Sequence, residues 1–183
     1  MWMKVYDQSA GTSGLHYLSI CIGEVLGAVI GGPLIDLSYR YLRDRNAGQS
    51  KPEFRVPLML PGALITPLGL LMYGWDAQYR LHWVFVDIGA LLAVFGMQMG
   101  GQAASAYVID ACPDYTSSAT GAEQLMRGLT AAAFPLFAPA LYRALGYGWG
   151  NTMIALVYLI PGLAQPAALW LWGPSLREKA RSV

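Results

Sequence analysis

Charge is what this sequence has least of. Charged residues fill 13% of its 183 positions, where a soluble domain carries about 25%. The deficit argues against a chain solvated on all sides. The formal net charge is +1, which excludes the basic face of a nucleic-acid binder. Cysteine is scarce as well. Cys21 and Cys112 stand alone without CxxC spacing, so neither a disulfide framework nor a metal site is implied. No GxGxxG follows a strand, and there is no P-loop, HExxH or GxSxG. His16 and His82 fall near the ends of apolar stretches and read as interface residues. The expectation is a chain that is no enzyme and carries no cofactor or metal. The opening MWMKVYDQSAGTSG contains no apolar run. No cleavable signal peptide is expected, and the first spanning helix would serve as the insertion signal.

What the sequence has in excess is apolar length. Hydrophobic residues make up 55% of it. Five stretches, about 15–38, 57–75, 82–108, 119–145 and 151–172, match the roughly 20 residues that cross a bilayer. The expected fold is an all-α membrane protein with five transmembrane helices in a single partial membrane domain, 1–183. In the first stretch Gly23, Gly27 and Gly31 recur every fourth residue, the spacing that lets two helix backbones approach closely. Pro33 and Asp36 mark its exit. Pro61 and Pro67 lie in the second, where neighbouring helices can satisfy the freed backbone groups, and Tyr73 and Trp75 close it as an aromatic belt. The fourth, with Pro135 and Pro139, is expected to kink. Gly146–Gly150 (GYGWG) reads as a tight turn before the fifth, which holds Pro161 and Pro166 and ends at Trp170 and Trp172.

The remaining charges set the orientation. Residues 31–55 hold Arg40, Arg43, Arg45, Lys51 and Arg55, five of the twelve basic residues, and the tail 173–183 holds Arg177, Lys179 and Arg181. The turns after the second and fourth stretches hold Arg80 alone. The positive-inside rule puts the loop 39–56 and the C-terminus in the cytoplasm, with the N-terminus outside.

A few polar residues lie inside the apolar stretches. Burying the Glu24 carboxylate in hydrocarbon costs about 2.5–3.5 kcal/mol on insertion scales. It reads either as a protonatable cavity residue or as a protonated, tolerated substitution. On a helix turning about 100° per residue, Asp87, Gln98, Gln102 and Ser105 fall within roughly a 60° arc. Gln98, Gln102 and Ser105 are candidates for a substrate path, and equally for interhelical glue. Asp87 sits near the outer interface and is expected to be solvated. Glu123 and Arg127 have the i,i+4 spacing of an ion pair on a helix surface, with a gating role as the alternative.

The segments GGPLIDLSYRYL and PEFRVPLMLPGALITPLGLLMYGWDAQ, then HWVFVDIG, YVIDA and FPLFAPALYRALGYGWGN, together resemble the C-terminal half of a fungal major facilitator superfamily transporter of the drug:proton antiporter type. The resemblance covers about residues 15–172. It implies that the five stretches are helices eight to twelve of a twelve-helix fold, and that the basic loop joins helices eight and nine. Gly32, Asp36 and Arg40 resemble the family's GxLxD…R loop signature, whose Asp and basic partners form a cytoplasmic charge network that holds the gate. The implied activity is proton-coupled efflux of a small organic molecule, drug or secondary metabolite, across the plasma membrane. The N-terminal half and helix seven have no counterpart in the sequence. The chain is thus expected to be a truncated transporter; the alternatives are a non-transporting remnant, or a half that assembles with an N-terminal half or with a second copy. The expected partners are the lipid bilayer and a small organic substrate, with no nucleic acid.

Overall fold

The computed structural model describes Trp2 and residues 6–181, with the side chains of 174 and 176–181 excepted. The basic tail side chains Arg177, Lys179 and Arg181 therefore lie outside the described set, as does Lys4. Among the described residues the secondary structure is all helical.

A short helix α1 (Ala10–Leu15) is capped by Ser9, whose Oγ accepts from the Thr12 amide at 3.2 Å. His16 joins it to α2 (Tyr17–Arg45), which carries Pro33 inside it. Helix α2 runs on past Ser38, so Arg40, Arg43 and Arg45 are helical residues and the non-helical loop is confined to 46–51. Lys51 is extended (φ −134°, ψ 132°), as the clash with the following proline ring requires. A 3₁₀ turn, Pro52–Leu58, leads into α3 (Met59–Gln78) and then α4 (Trp83–Ala111). A second 3₁₀ turn, Pro113–Tyr115, precedes α5 (Thr116–Arg181).

Among the described residues four helical stretches are long and apolar enough to cross a membrane: Ala10–Arg45, Pro52–Gln78, Trp83–Ala111 and Pro113–Gly173. The expected fourth and fifth spans fall together in the last of these, because residues 146–150 do not form a loop. Only Gly146 leaves the helical region, at φ 76° and ψ −179°. At about 1.5 Å per residue an unbroken α5 would be some 100 Å long, over three times the ~30 Å of hydrocarbon in a bilayer. The left-handed dihedral at Gly146, open to glycine without a Cβ penalty, divides it into two arms.

Helix α4 is the centre. It packs against α2 on one side and α3 on the other, and α3 in turn packs against α5. Small residues make these contacts possible. A Cβ on Gly23 would lie 2.6 Å from the Leu91 carbonyl oxygen, and one on Gly27 would lie 2.9 Å from that of Phe95. The α3–α4 crossing is tighter still, with Gly69 against the Ala93 backbone and Gly89 against Tyr73. The buried residues Val86, Gly89, Ala93, Gly96, Met99, Ala103 and Tyr107 recur at helical spacing along α4, which is the stripe that a central helix needs.

The outer surface is apolar. Tyr17, Leu18, Val25 and Val29 on α2 and Leu125, Met126, Leu129 and Leu136 on α5 are all exposed. The accessible surface is 11237 Å², where a compact soluble chain of this length would expose about 8,600 Å². So large an apolar exterior fits lipid and neighbouring helices, not water.

Candidate functional site

At the loop end of the bundle three helical elements meet in a charge network. Proline at the start of the 3₁₀ turn and the buried Phe54 and Val56 on either side of Arg55 fix where that guanidinium points. Arg55 Nη1 donates to Asp36 Oδ1 at 2.7 Å, and its Nε donates to Asp110 Oδ2 at 2.8 Å. One side chain thereby ties the C-terminal third of α2 to the end of α4. The guanidinium carbon lies 4.5 Å from the centre of the Tyr39 ring, within cation–π range. Tyr39 packs edge-on against Phe54 and hydrogen-bonds Ser50 through its hydroxyl. The two arms differ in shelter: Asp110 is 31% exposed and Asp36 61%. Arg40 is exposed, and the guanidinium that reaches Asp36 belongs to Arg55. Gly32 is half-buried, with nothing within 4 Å of where its Cβ would be.

A second polar group joins α4 to the first arm of α5. Ser105 Oγ donates to Glu123 Oε1 at 2.7 Å, and Arg127 Nη2 donates to the same oxygen at 3.1 Å. A Cβ on Gly101 would stand 3.3 Å from Arg127 Nη2, so the missing side chain gives the guanidinium its seat.

The glutamines of α4 face the other way, toward α2. Gln98 packs on Gly27, and the Oε1 of Gln102 lies against Gly31, where it is buried without a hydrogen-bond partner. The polar arc is thus shared between two helix interfaces. Glu24 is exposed on α2. It follows Gly23, which packs on α4, by about 100° of helix, and it does not join the glutamines.

At the opposite end, Asp87 is not solvated as expected. Its side chain is 17% exposed, and its Oδ2 lies 2.7 Å from Nδ1 of His16, a ring that is itself buried. The α1–α2 joint sets His16 over the start of α4. On the same side a clasp secures the break in α5. Gln78 Oε1 accepts from the Gly148 amide at 3.1 Å, and Trp75 Nε1 donates to Thr152 Oγ1 at 3.2 Å. The buried Asn151 accepts from the Tyr142 hydroxyl and donates to the Tyr147 carbonyl.

Comparison with known proteins fits this arrangement to a family. The chain is 50% identical over 182 residues to "Probable efflux pump mfs2" of Aspergillus flavus, a match that covers 98% of the chain and 43% of that protein. It is 41% identical to "MFS-type transporter oryF" of Aspergillus oryzae, over 98% of the chain and 38% of the relative. The chain corresponds to part of a fungal MFS-type transporter. "Efflux pump vrtL" of Penicillium aethiopicum is 40% identical over 99% of the chain and 36% of its own length. The chain thus spans about two fifths of the length of the curated relatives it matches. No protein-family model and no solved structure matches it.

As MFS-type sequence, it is a multi-pass membrane chain whose apolar exterior has a physical reason. Sequence reasoning had missed Arg55 and Asp110 as partners of Asp36. Their signal was present: Asp110 is the first charge after the charge-free 88–109, and Arg55 is the only charge between the buried Phe54 and the long apolar 56–75.

Proposed function

We propose that this chain is the helix-eight-to-twelve portion of a proton-coupled exporter of a small organic molecule in the plasma membrane. It crosses the bilayer five times, with Gly146 as the turn between the last two crossings and residues 46–51 in the cytoplasm. The observation that carries the reading is the near-complete coverage of the chain by proteins named as efflux pumps. The charge network supports it. Asp36, Arg55 and Asp110 link α2, the 3₁₀ turn and α4 on the basic side of the bundle, where a gate between two rocking halves must be held shut or released. Most exposed side chains of the first arm of α5 beyond Gly121 are apolar, a surface that suits further transporter helices, whether from the same polypeptide or a partner half. Gln98, Gln102, Ser105 and Glu24 are the residues proposed to border the substrate path.

A chimera tests this reading. The corresponding segment of the Aspergillus flavus relative is replaced by residues 1–183, and efflux is measured in a drug-sensitive yeast strain. The chimera is expected to restore resistance, and Gln98→Leu with Gln102→Leu to reduce efflux at unchanged expression. A chimera that reaches the membrane yet exports nothing contradicts the proposal, and unchanged efflux in the double variant removes the glutamines from the path.

A further inference from the structure

On the side of the bundle opposite the basic loop, a cavity of about 150 Å³ opens between the starts of α2 and α4. Trp2, His16, Tyr17, Ser19, Ile20, Tyr73, Asp87 and Ala90 line it. Its chemistry is unlike the rest of the apolar surface. The one carboxylate in its wall, Asp87, is only half engaged: His16 takes Oδ2, and Oδ1 is buried without a hydrogen-bond partner. A buried acceptor without a partner is costly, so Asp87 is left able to accept one more hydrogen bond. Two of the polar groups in the wall are engaged elsewhere. Ser19 Oγ donates to the His16 carbonyl, and the second ring nitrogen of His16 is bonded to Gln8 Oε1 at 2.7 Å.

The remaining wall is aromatic. Trp2 stacks flat on His16 with centroids 3.7 Å apart, and Tyr17 and Tyr73 also border the space. Aromatic faces carry negative potential and attract ammonium cations, and quaternary ammonium groups are the usual occupants of aromatic cages. An anion would meet the Asp87 charge. A neutral alcohol would bring a donor but gain little from the rings. Groups that could hold a metal ion are absent among the described residues. An apolar protein cavity of about this volume holds benzene, so the space suits a short alkylammonium, and it falls below the roughly 300–1,000 Å³ of pockets for drug-sized ligands.

We propose that this cavity is a binding site for a small organic ammonium ion, whose N–H donates to Asp87 and whose alkyl body lies against Trp2, Tyr17 and Tyr73. The proposal stands apart from transport and is tested by binding alone.

The purified 183-residue chain in maltoside micelles is titrated with n-butylammonium chloride. Tryptophan emission is the readout, because Trp2 and Trp83 both contact the His16 ring. n-Butanol serves as the neutral analogue, and sodium chloride controls for ionic strength. A saturable response to the ammonium and none to butanol or salt is expected. Asp87→Asn should weaken binding about tenfold or more, the worth of a charge-assisted hydrogen bond, with helicity and elution volume unchanged. Should that variant misfold, Tyr17→Leu decides, because Tyr17 is 66% exposed and its loss leaves the His16–Asp87 pair intact. It should weaken binding by roughly threefold, as for one cation–π contact. No saturable response, an equal response to butanol, wild-type affinity in a folded Asp87→Asn, or an unchanged Tyr17→Leu would each overturn the proposal.

Discussion

Replacing Arg55 with glutamine removes the cation that Asp36 and Asp110 share. The two arms should contribute unequally. The bond to Asp110 is charge-assisted and largely sheltered, at 18% exposure for Arg55 and 31% for Asp110, and such bonds contribute about 1.5–3 kcal/mol. Asp36 is 61% exposed, and solvent screening reduces that arm to at most about 0.5 kcal/mol. The Tyr39 ring at 4.5 Å adds about 0.5–1 kcal/mol. Arg55→Gln should therefore destabilise the bundle by about 3 kcal/mol, Asp110→Asn by less, and Asp36→Asn by about 0.5 kcal/mol or below. Because Arg55 and Asp110 share one interaction, the double variant should fall short of the summed single effects by about 1.5 kcal/mol. Denaturant unfolding in mixed micelles, followed by helical circular dichroism, measures all four. If Asp36→Asn costs as much as Arg55→Gln, or if the Arg55–Asp110 effects simply add, the argument that Asp110 is the dominant partner is wrong.

Other substitutions probe the packing. Gly69→Ala forces a Cβ to 2.7 Å from the Ala93 Cα, while Gly32→Ala enters open space. The first should cost more than the ~1–3 kcal/mol typical of overpacking. The second should be neutral or gain up to about 1 kcal/mol of helix propensity, and equal effects in thermal unfolding would refute the α3–α4 crossing. Gly146→Ala must adopt φ 76° with ψ −179° and brings a Cβ to 2.8 Å from Gln78 Oε1, with an expected loss of about 1–3 kcal/mol; a stabilised variant would mean that the two arms of α5 are continuous. Ser105→Ala removes one interhelical bond to Glu123 and should cost only about 0.6 kcal/mol, the average for such bonds in a membrane. A loss of several kcal/mol there would assign Ser105 a larger share of the α4–α5 contact than one bond supplies.

The parts of this fold that follow from composition and spacing were legible in advance. Apolar length marked the helices, and the four-residue glycine repeat of α2 marked a face for close helix contact, which the structure fills with α4. What sequence spacing could not supply was partnership across the chain. Asp36 has a basic residue one turn away in Arg40, yet its partner comes from Arg55, because the 3₁₀ turn folds the chain back onto α2. Glu123 and Arg127 pair at i,i+4, but the third member, Ser105, arrives from a neighbouring helix. Asp87 looked solvated by its position near a helix end, and only the α1–α2 joint brings His16 over it. The tight turn read from Gly146–Gly150 contracts to Gly146 because the residues after it can resume helix once Gln78 has capped the Gly148 amide.

The most direct test of the proposed arrangement is sided labelling of single cysteines in intact cells. With Cys21 and Cys112 changed to serine, Gln49→Cys reports on the basic loop, and Tyr79→Cys, at a position 69% exposed, reports on the turn between α3 and α4. A membrane-impermeant maleimide should label Tyr79→Cys from outside and reach Gln49→Cys only after permeabilisation. Labelling of both positions from outside, or of the loop alone, would contradict a bundle that crosses the bilayer with its arginine network in the cytoplasm.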